Sequence, residues 1–591
     1  MVVRTMAVCK IETILVILIG IFSVVDTKLF VYPSLSYSLI TGVLVSLLAI
    51  ITMFRQYQQK YILHPVITGL VLSWLLYILF FSTIKDGETY RLVYIINTLV
   101  FLVTIAINLK CKAINWKHIE NVIIGLGIFN SVYVILQLIG VASSANHLIL
   151  ITGYNENPNS TAMYLVGALV VTFNRLSERL NIRVNVILAF LFMLSIFLLK
   201  CRTALLGSLI LVLVYLYKIS KIKISSRKYK IIGIVIIIVA STFVISIILL
   251  TKKNSSQGRL LVWKNSIELI KKNPMGYGYG LFEKTYNISQ SNYFESGAGT
   301  EEEIKNADHV AMSYNDYLEM GIDGGIIGSL FLALLFILSS IEAYRQKDAE
   351  AFSFITATMV MAMVNFLYSS VSVWLLVLCM IAKIMANYKA ELYHKNQVLR
   401  EILYRIIPLT IGIISIVLGI KTVKMTSAQI EFAKLHQMIS QNKLVYAEQL
   451  LKLQHNIDTS EAFYTDLGIN YINLGEFQNA INALNMALRY SSSPSIYYNL
   501  WSSYMKQGQY QLASRSLKVV ENMQPIRILP KYYILNSYFY AQNMPMAEAY
   551  AIKILKTKVK IKNKNSDEII KKTEEMLCEI HKLKLLLSDK K

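Results

Sequence analysis

Thirteen apolar runs constrain this 591-residue chain more than any motif, near residues 11–25, 36–54, 61–81, 91–109, 119–140, 161–174, 184–199, 203–218, 231–250, 322–343, 351–369, 371–387 and 405–421. Crossing about 30 Å of hydrocarbon takes about 20 residues of helix. Backbone in hydrocarbon finds no water, so it must satisfy its own N–H and C=O groups, and a helix does so within one segment. The expected fold class is therefore all-α, a polytopic helical membrane protein of about 12–13 spans. With 55% hydrophobic and 16% charged residues and a mean hydropathy of +0.49, the composition does not suit a soluble globule of this size. The first run lacks a small-residue cleavage pattern, so it is expected to stay as a span.

The loops between the runs are asymmetric in charge. With the N-terminus inside, the inner loops hold twenty-two Lys and Arg residues, among them Arg55, Lys110, Arg175, Lys228, Arg345 and Arg400, while the short outer loops hold only Lys28, Lys85, Lys200 and Arg202. Positive charge resists translocation, which puts residues 251–321 outside the cytoplasm and, with thirteen spans, the C-terminal part outside too. Most of the net charge of +23 lies in those inner loops. The remaining excess is a tail carrying Lys556, Lys558, Lys560, Lys562 and Lys564, which reads as a solvated or lipid-headgroup surface rather than a nucleic-acid site.

Three domains are expected: residues 1–421 in the membrane with the large outer loop 251–321, helical repeats at 422–560, and a Lys-rich helical tail at 561–591. The repeats show a spacing of about 33 to 34 residues. Tyr464-x2-Leu467-Gly468-x2-Tyr471-x3-Gly475-x-Phe477-x2-Ala480-x3-Leu484-x2-Ala487 is followed by Tyr497-x2-Leu500-x3-Tyr504-x3-Gly508-x-Tyr510-x2-Ala513-x3-Leu517, and a third copy keeps Tyr538 and Ala547. They resemble tetratricopeptide repeats, in which small Ala lets two helices approach and aromatic and Leu positions fill the wedge between hairpins. Such a domain serves either as a cap on the last span or as a docking surface for a protein or glycan partner.

Cys9, Cys111, Cys201, Cys379 and Cys578 are scattered without metal-type spacing, so neither a disulfide framework nor structural zinc is expected. HExxH and paired-carboxylate signatures are missing, and the chemistry is expected to need no metal and no cofactor. Gly276, Gly278 and Gly280 lack a preceding strand and a following Lys-Ser/Thr, which argues against a nucleotide site.

Four elements occur in a telling order: Gln137, the segment Asn155-Glu156-Asn157-Pro158-Asn159, Lys200-Cys201-Arg202-Thr203-Ala204-Leu205, and the long loop with Arg259-x3-Trp263, Asn273-Pro274-Met275-Gly276-Tyr277-Gly278-Tyr279-Gly280 and Asn315-x2-Leu318-Glu319-x5-Gly325-Ile326-Ile327-Gly328. Over roughly residues 1–390 the chain resembles the O-antigen ligase family, which also holds O-antigen polymerases and bacterial O-linked protein oligosaccharyltransferases. The resemblance implies a glycosyltransferase of the bacterial inner membrane, with loop and repeats on the periplasmic side. It would take a glycan from undecaprenyl pyrophosphate and pass it to an acceptor hydroxyl of lipid A-core. Protein and growing glycan are the alternative acceptors.

The chemistry asks for the same residue types. A pyrophosphate leaving group suits Arg forks, which stay charged at any working pH, and Arg202 and Arg259 are the candidates. The competing readings are a snorkelling anchor for Arg202 and a solvated loop side chain for Arg259. Trp263, four residues after Arg259, suggests a helix packed at the membrane interface. For the acceptor's proton, the family usually places a His directly before the Asn of the last motif, where this chain has Tyr314. His309, behind Asp308, is the nearest replacement as general base. Glu319 or Asp316 is an alternative, as is no protein base at all, with positioning and charge neutralisation sufficing. Asn157 and Asn159, with Pro158 between them, shape the entry to the sixth helix through a cap at Asn159 or Ser160, or touch the donor. Trp263, Tyr314, Asn315 and Glu319 complete the expected substrate-binding set. A transporter should show acidic residues within its spans, and a mere scaffold leaves the Arg/Asn/Gly constellation without a role; both rank behind the enzyme.

Overall fold

The computed structural model describes residues 2–56, 59, 61–146, 148–221, 253–389, 397–441, 447–457, 459–559 and 563–588, and among them every regular element is a helix. The chain opens with α1 (Val2–Phe22), α2 (Pro33–Gln56), α3 (Pro65–Ile84), α4 (Thr89–Lys110), α5 (Trp116–Leu138), α6 (Pro158–Ser177), α7 (Ile182–Leu198) and α8 (Arg202–Lys221). Then follow α9 (Lys253–Lys272), α10 (Phe282–Glu295), α11 (Glu301–Asn306) and α12 (Asp316–Asp323). The membrane part resumes with α13 (Gly325–Arg345), α14 (Ala349–Ala362), α15 (Val371–Asn387) and α16 (Gln397–Ser440). The rest is α17 (Ala447–Leu451), α18 (Gln454–Ile457), α19 (Glu461–Asn473), α20 (Phe477–Ala487), α21 (Pro494–Lys506), α22 (Tyr510–Met523), α23 (Ile528–Tyr540), α24 (Met544–Lys556) and α25 (Lys564–Ser588).

Among the described residues six helices are long and apolar enough to cross a membrane: α2, α3, α4, α5, α13 and the Ile406–Ser440 part of α16. Shorter apolar helices are Ile11–Phe22, α7, Arg202–Tyr215, α14 and α15. The protein is thus a polytopic helical membrane protein. The run at 231–250 lies outside the described residues. α6 is a different kind of helix from its apolar neighbours. It is buried continuously from Thr161 to Thr172, and Thr161, Thr172 and Asn174 are tolerated because protein rather than lipid surrounds them. Two expected spans change shape. The run 351–369 ends as helix at Ala362 and continues as a bent turn through Ser370. The run 405–421 is part of a 44-residue rod, α16, whose later residues Phe432 and Ile439 share a core with Phe463 and Leu467 further along the chain.

The two ends of the bundle differ. At one end, Arg175 pairs with Glu120 at 3.0 Å, Lys383 with Asp348 at 2.7 Å and Glu350 at 2.6 Å, and Lys110 Nζ donates to Tyr388 O at 2.7 Å. These contacts gather the corners rich in Lys and Arg. The opposite end receives residues 253–324, of which most are helical rather than open loop. From there α13 leaves, α14 returns, α15 leaves and α16 returns. Four passes bring the C-terminal helices back to the end where the loop lies, and the two touch directly: Thr89 N donates to Thr459 Oγ1 at 3.0 Å.

Consecutive helices α19/α20, α21/α22 and α23/α24 pack as pairs. Ala480, Ala513 and Ala547 are fully buried at the crossings. A Cβ on Gly468 would lie 2.6 Å from Leu484 Cγ, so this contact needs glycine. α25 closes the array against α23 and α24, burying Ile580.

Candidate functional site

The glycine segment 273–280 splices the loop into the membrane domain. Tyr277 N donates to Ile322 O at 2.8 Å, Gly278 N to Asp323 O at 3.0 Å and Gly280 N to Asp323 Oδ2 at 2.8 Å, while Glu88 N donates to Tyr279 O at 2.9 Å. Gly278 sits at φ +128°, and a Cβ there would collide with the carbonyl oxygen of Asp86. Its glycine is required by the close approach of two backbones. The segment joins the α3–α4 corner to the α12–α13 corner.

One side of this splice is basic. Arg202 is the first residue of α8, Arg259 lies nearly two turns into α9, and Arg202 is near enough to act on the charge of Arg259. Burial draws the Arg259 guanidinium below its ordinary value; Tyr314 and Cys201 oppose the shift, and Arg202 adds a smaller push in the same direction as burial. Arg259 Nη1 donates to Val364 O at 2.8 Å, and its guanidinium lies over the Tyr314 ring, 4.8 Å from the centroid. Tyr314 takes a left-handed φ of +54° and meets Phe366 edge-on. Arg202 thus opens α8, where backbone N–H groups add to the positive field, and Arg259 on α9 lies within reach of its charge. Such a place can hold a phosphate group.

From Tyr314 a polar network runs inward. Trp263 Nε1 donates to Ser313 O at 3.2 Å, and Glu319 Oε2 accepts from Ser313 N at 3.1 Å and Ser313 Oγ at 3.2 Å. The other Glu319 oxygen lies 3.6 Å from Arg91 Nη2, and Arg91 also donates to Ser369 Oγ at 3.2 Å. Asn315 caps α12, its side chain accepting from Tyr317 N and Leu318 N at 3.1 Å each. Asp316 Oδ2 accepts from Leu367 N at 2.9 Å and Tyr368 N at 3.2 Å, tying the 363–370 turn to α12. Burial, with Glu319 beside it, pushes Asp316 well above the usual carboxylate range and Asp323 up to about 7. Burial likewise pushes Glu88 up to about 8. Trp263, Tyr314, Asn315 and Glu319 therefore share one continuous network with Arg259.

His309 belongs to another contact. Its Nε2 lies 2.5 Å from Glu283 Oε1 on α10. Glu283 also accepts from Ser492 Oγ at 2.8 Å and Ser492 N at 2.9 Å, so the pair is completed from the α20–α21 connection. Burial works against the charge of Glu283, yet His309 and Ser492 outweigh it and hold the carboxylate below its usual range. A carboxylate only accepts, so Nε2 carries a proton, and in the neutral ring Nδ1 is the nitrogen with the lone pair. Asp308 takes no part in orienting the ring: it turns away to Gln524 at 2.6 Å and Arg527 at 2.7 Å. Further bonds from α10 repeat the theme, with Lys284 reaching Arg489 O, Gln290 reaching Met523 O and Ser291 reaching Val519 O. Faces of the C-terminal helices that could meet a partner are thus partly taken up by the chain's own loop.

Asn157 is the cap of α6, accepting from Asn159 N at 2.9 Å, with Pro158 as the first helical residue. The cap falls at Asn157 rather than at Asn159 or Ser160, because proline fits only the first helical turn, where no N–H is needed. Gln137 braces the loop before it, accepting from Thr152 N and Gly153 N and donating to Ser143 O and Gly153 O. Neither asparagine is tied to the arginine pair by any of these bonds. Sequence reasoning passed over Arg91, Glu283 and Asp323. A charge at the very start of an apolar run was the available signal for Arg91; Glu283 had none.

Residues 187–333 match the family model described as O-Antigen ligase. The matched stretch runs from within α7 through α8 and the loop to the middle of α13, hence Arg202, Arg259, His309 and Glu319, and leaves out Arg91 and the C-terminal helices. No curated protein and no solved structure matches the chain.

Proposed function

Taking residues 187–333 as placing the chain in the O-antigen ligase family, we propose that it moves a glycan from undecaprenyl pyrophosphate to an acceptor hydroxyl, with lipid A-core as the acceptor, on the outer face of the bacterial inner membrane. The observation that carries this reading is Arg259, held by Val364 O and the Tyr314 ring within the matched stretch, with Arg202 opening α8 in the same stretch; two such forks suit a dianionic leaving group. In the step itself the acceptor oxygen attacks the anomeric carbon and the bond to pyrophosphate breaks. The departing oxygen keeps the electron pair, stabilised by the two guanidinium groups, and His309 Nδ1 takes the acceptor's proton. Trp263 and Tyr314 hold Arg259 and its loop in place, and Asn315 and Glu319 fix the α12 corner beside them. Asn157 and Asn159 shape the neighbouring α6 entry. The orientation rests on the gathering of basic corners at the other end of the bundle.

Transfer to a protein and polymerisation of glycan use the same donor chemistry, so the acceptor is decided by product. A deletion strain is complemented with wild type, Arg259→Ala and His309→Ala, and lipopolysaccharide gels are read beside a glycoprotein stain. Loss of glycan from lipid A-core that Arg259→Ala does not restore is the expected result. Loss confined to glycoproteins moves the acceptor to protein, shortened chains indicate a polymerase, and unchanged glycans in every strain overturn the reading.

A further inference from the structure

We propose that the C-terminal helical array completes the reaction site from outside the membrane domain, with Glu283 as the positioning residue for His309 and Ser492 as the positioning residue for Glu283. This rests on the reading of His309 as general base. The geometry is a relay of three groups. Ser492 donates to both oxygens of Glu283, through its hydroxyl at 2.8 Å and its backbone N–H at 2.9 Å, and Glu283 accepts from His309 Nε2 at 2.5 Å. Glu283 makes a fourth contact with Asn287 Nδ2 at 3.2 Å, so its rotamer is fixed from two sides.

The relay has a chemical consequence that a simple latch lacks. With Nε2 bound to an anion, the imidazole is locked as the Nε2–H tautomer, and Nδ1 alone can take a proton. After it does, the ring becomes an imidazolium whose charge faces the Glu283 carboxylate. The same carboxylate that orients the base therefore stabilises the state it passes through. Surrounding bonds keep the relay in register: Asp308 is pinned by Gln524 and Arg527, and Gln290 by Met523 O, so α10 and the 306–310 segment are held against α22 and α23 together.

Charged groups facing the relay are Lys284 on α10, Asp308 beside the histidine, Arg489 before Ser492, Arg527 beside Asp308, Glu461 on α19 and Glu88 at the start of α4. None of these completes the contact itself, which is formed by His309 and Glu283 and closed by Ser492. Substituting them should leave the membrane domain folded, since its helices pack in a separate core.

The test uses full-length protein in detergent or nanodiscs, a polyprenyl-pyrophosphate glycan donor and purified lipid A-core acceptor. Variants are His309→Ala, Glu283→Gln, Ser492→Ala and Ser492→Thr, with limited proteolysis of the 253–324 region reporting whether the loop stays docked. His309→Ala should cut kcat about 10²–10⁴-fold. Glu283→Gln should cut kcat at least about tenfold with KM for the donor unchanged, Ser492→Ala less, and Ser492→Thr should recover the wild-type rate. Wild-type kcat in Glu283→Gln, alongside an inactive His309→Ala, sinks the relay while leaving the base assignment standing. A fully active His309→Ala removes the base assignment itself. A fall in kcat accompanied by new protease cleavage in Glu283→Gln and in Ser492→Thr alike makes the contact a latch and overturns the positioning role.

Discussion

The 253–324 segment is anchored twice, and the two anchors are built on opposite electrostatic terms. At the α9 end, Arg259 meets a carbonyl, an aromatic face and a second arginine, and no carboxylate among the described residues answers its charge. At the α10 end the charges are paired with opposite ones: His309 with Glu283 and Asp308 with Arg527. A half-buried guanidinium with no carboxylate beside it favours an anion that arrives, whereas a completed network fixes the side chains it joins, the His309 ring among them. One anchor suits a ligand's negative charge; the other fixes the loop together with the His309 ring it carries.

Removing the incomplete anchor gives the largest expected effect. Arg259→Ala should lower transfer about 10²–10³-fold, the range seen when one donor to a developing anion is deleted. Arg259→Lys keeps the charge and loses the fork, so it should fall between alanine and wild type. Thermal stability in detergent should stay nearly the same in both, because Arg259 is only half-buried and meets no carboxylate among the described residues. A large loss of stability instead would mean that Arg259 holds the 363–370 turn and the contrast between the anchors disappears.

The next effect is structural. Glu319 is buried between Ser313 and Arg91, with side-chain exposures of 7% for the glutamate and 23% for the arginine. Glu319→Ala leaves Arg91 facing Asp323 and Asp316 without the bridge to the Tyr314 segment, and should cost about 3 kcal/mol of stability. Calorimetry or a thermal-shift assay in detergent reads it. If stability holds while kcat collapses, Glu319 rather than His309 handles the acceptor's proton, and the two anchors exchange roles.

How far these anchors could be read beforehand differs in the same way. Hydropathy located the membrane helices because burial in lipid leaves a local imprint on composition, and the 33–34-residue spacing fell on Ala480, Ala513 and Ala547 because helix crossings demand small side chains. The arginines stood out because a charge is costly at a span end and therefore carries meaning where it stands. Glu283 and Ser492 carry no such imprint: they are 209 residues apart, ordinary polar residues in polar segments, and only the tertiary fold makes them neighbours. Arg91 was hidden by being counted as the first residue of a span. The fold of the loop was underread for a related reason, since α9 to α12 owe their burial to neighbours elsewhere in the chain.

A third prediction uses pH against the completed anchor. Burial first, and the nearby Glu283 second, push Glu461 up to about 7. An acid whose folded value is raised favours the folded state below its unfolded value, and that contribution is lost as pH rises through about 7. Glu283 has the opposite sign: its folded value is depressed, so its contribution is present above the unfolded carboxylate range and lost only on acidification. Docking of the loop on the C-terminal helices should thus weaken between about pH 5 and 8. Glu461→Gln should flatten that slope, measured as protease resistance of the 253–324 region at a series of pH values. An unchanged slope in Glu461→Gln would detach Glu461 from the anchor.

The smallest effect separates the caps from the chemistry. Asn157 and Asn315 each accept backbone N–H groups at a helix start, and replacing either with alanine should cost about 1 kcal/mol. Their consequences for transfer should differ. Asn315 sets the first turn of α12, on which Glu319 and Asp316 ride, so its loss should disturb the network that ends at Arg259 and lower kcat several-fold. Asn157 shapes only the entry to α6, whose buried face is fixed independently from Thr161 onward, so Asn157→Ala should lower stability with transfer nearly intact. Equal losses of activity in both would mean that the α6 entry also contacts the donor, and that the ligand-receiving anchor extends beyond the arginine pair to a second corner of the bundle.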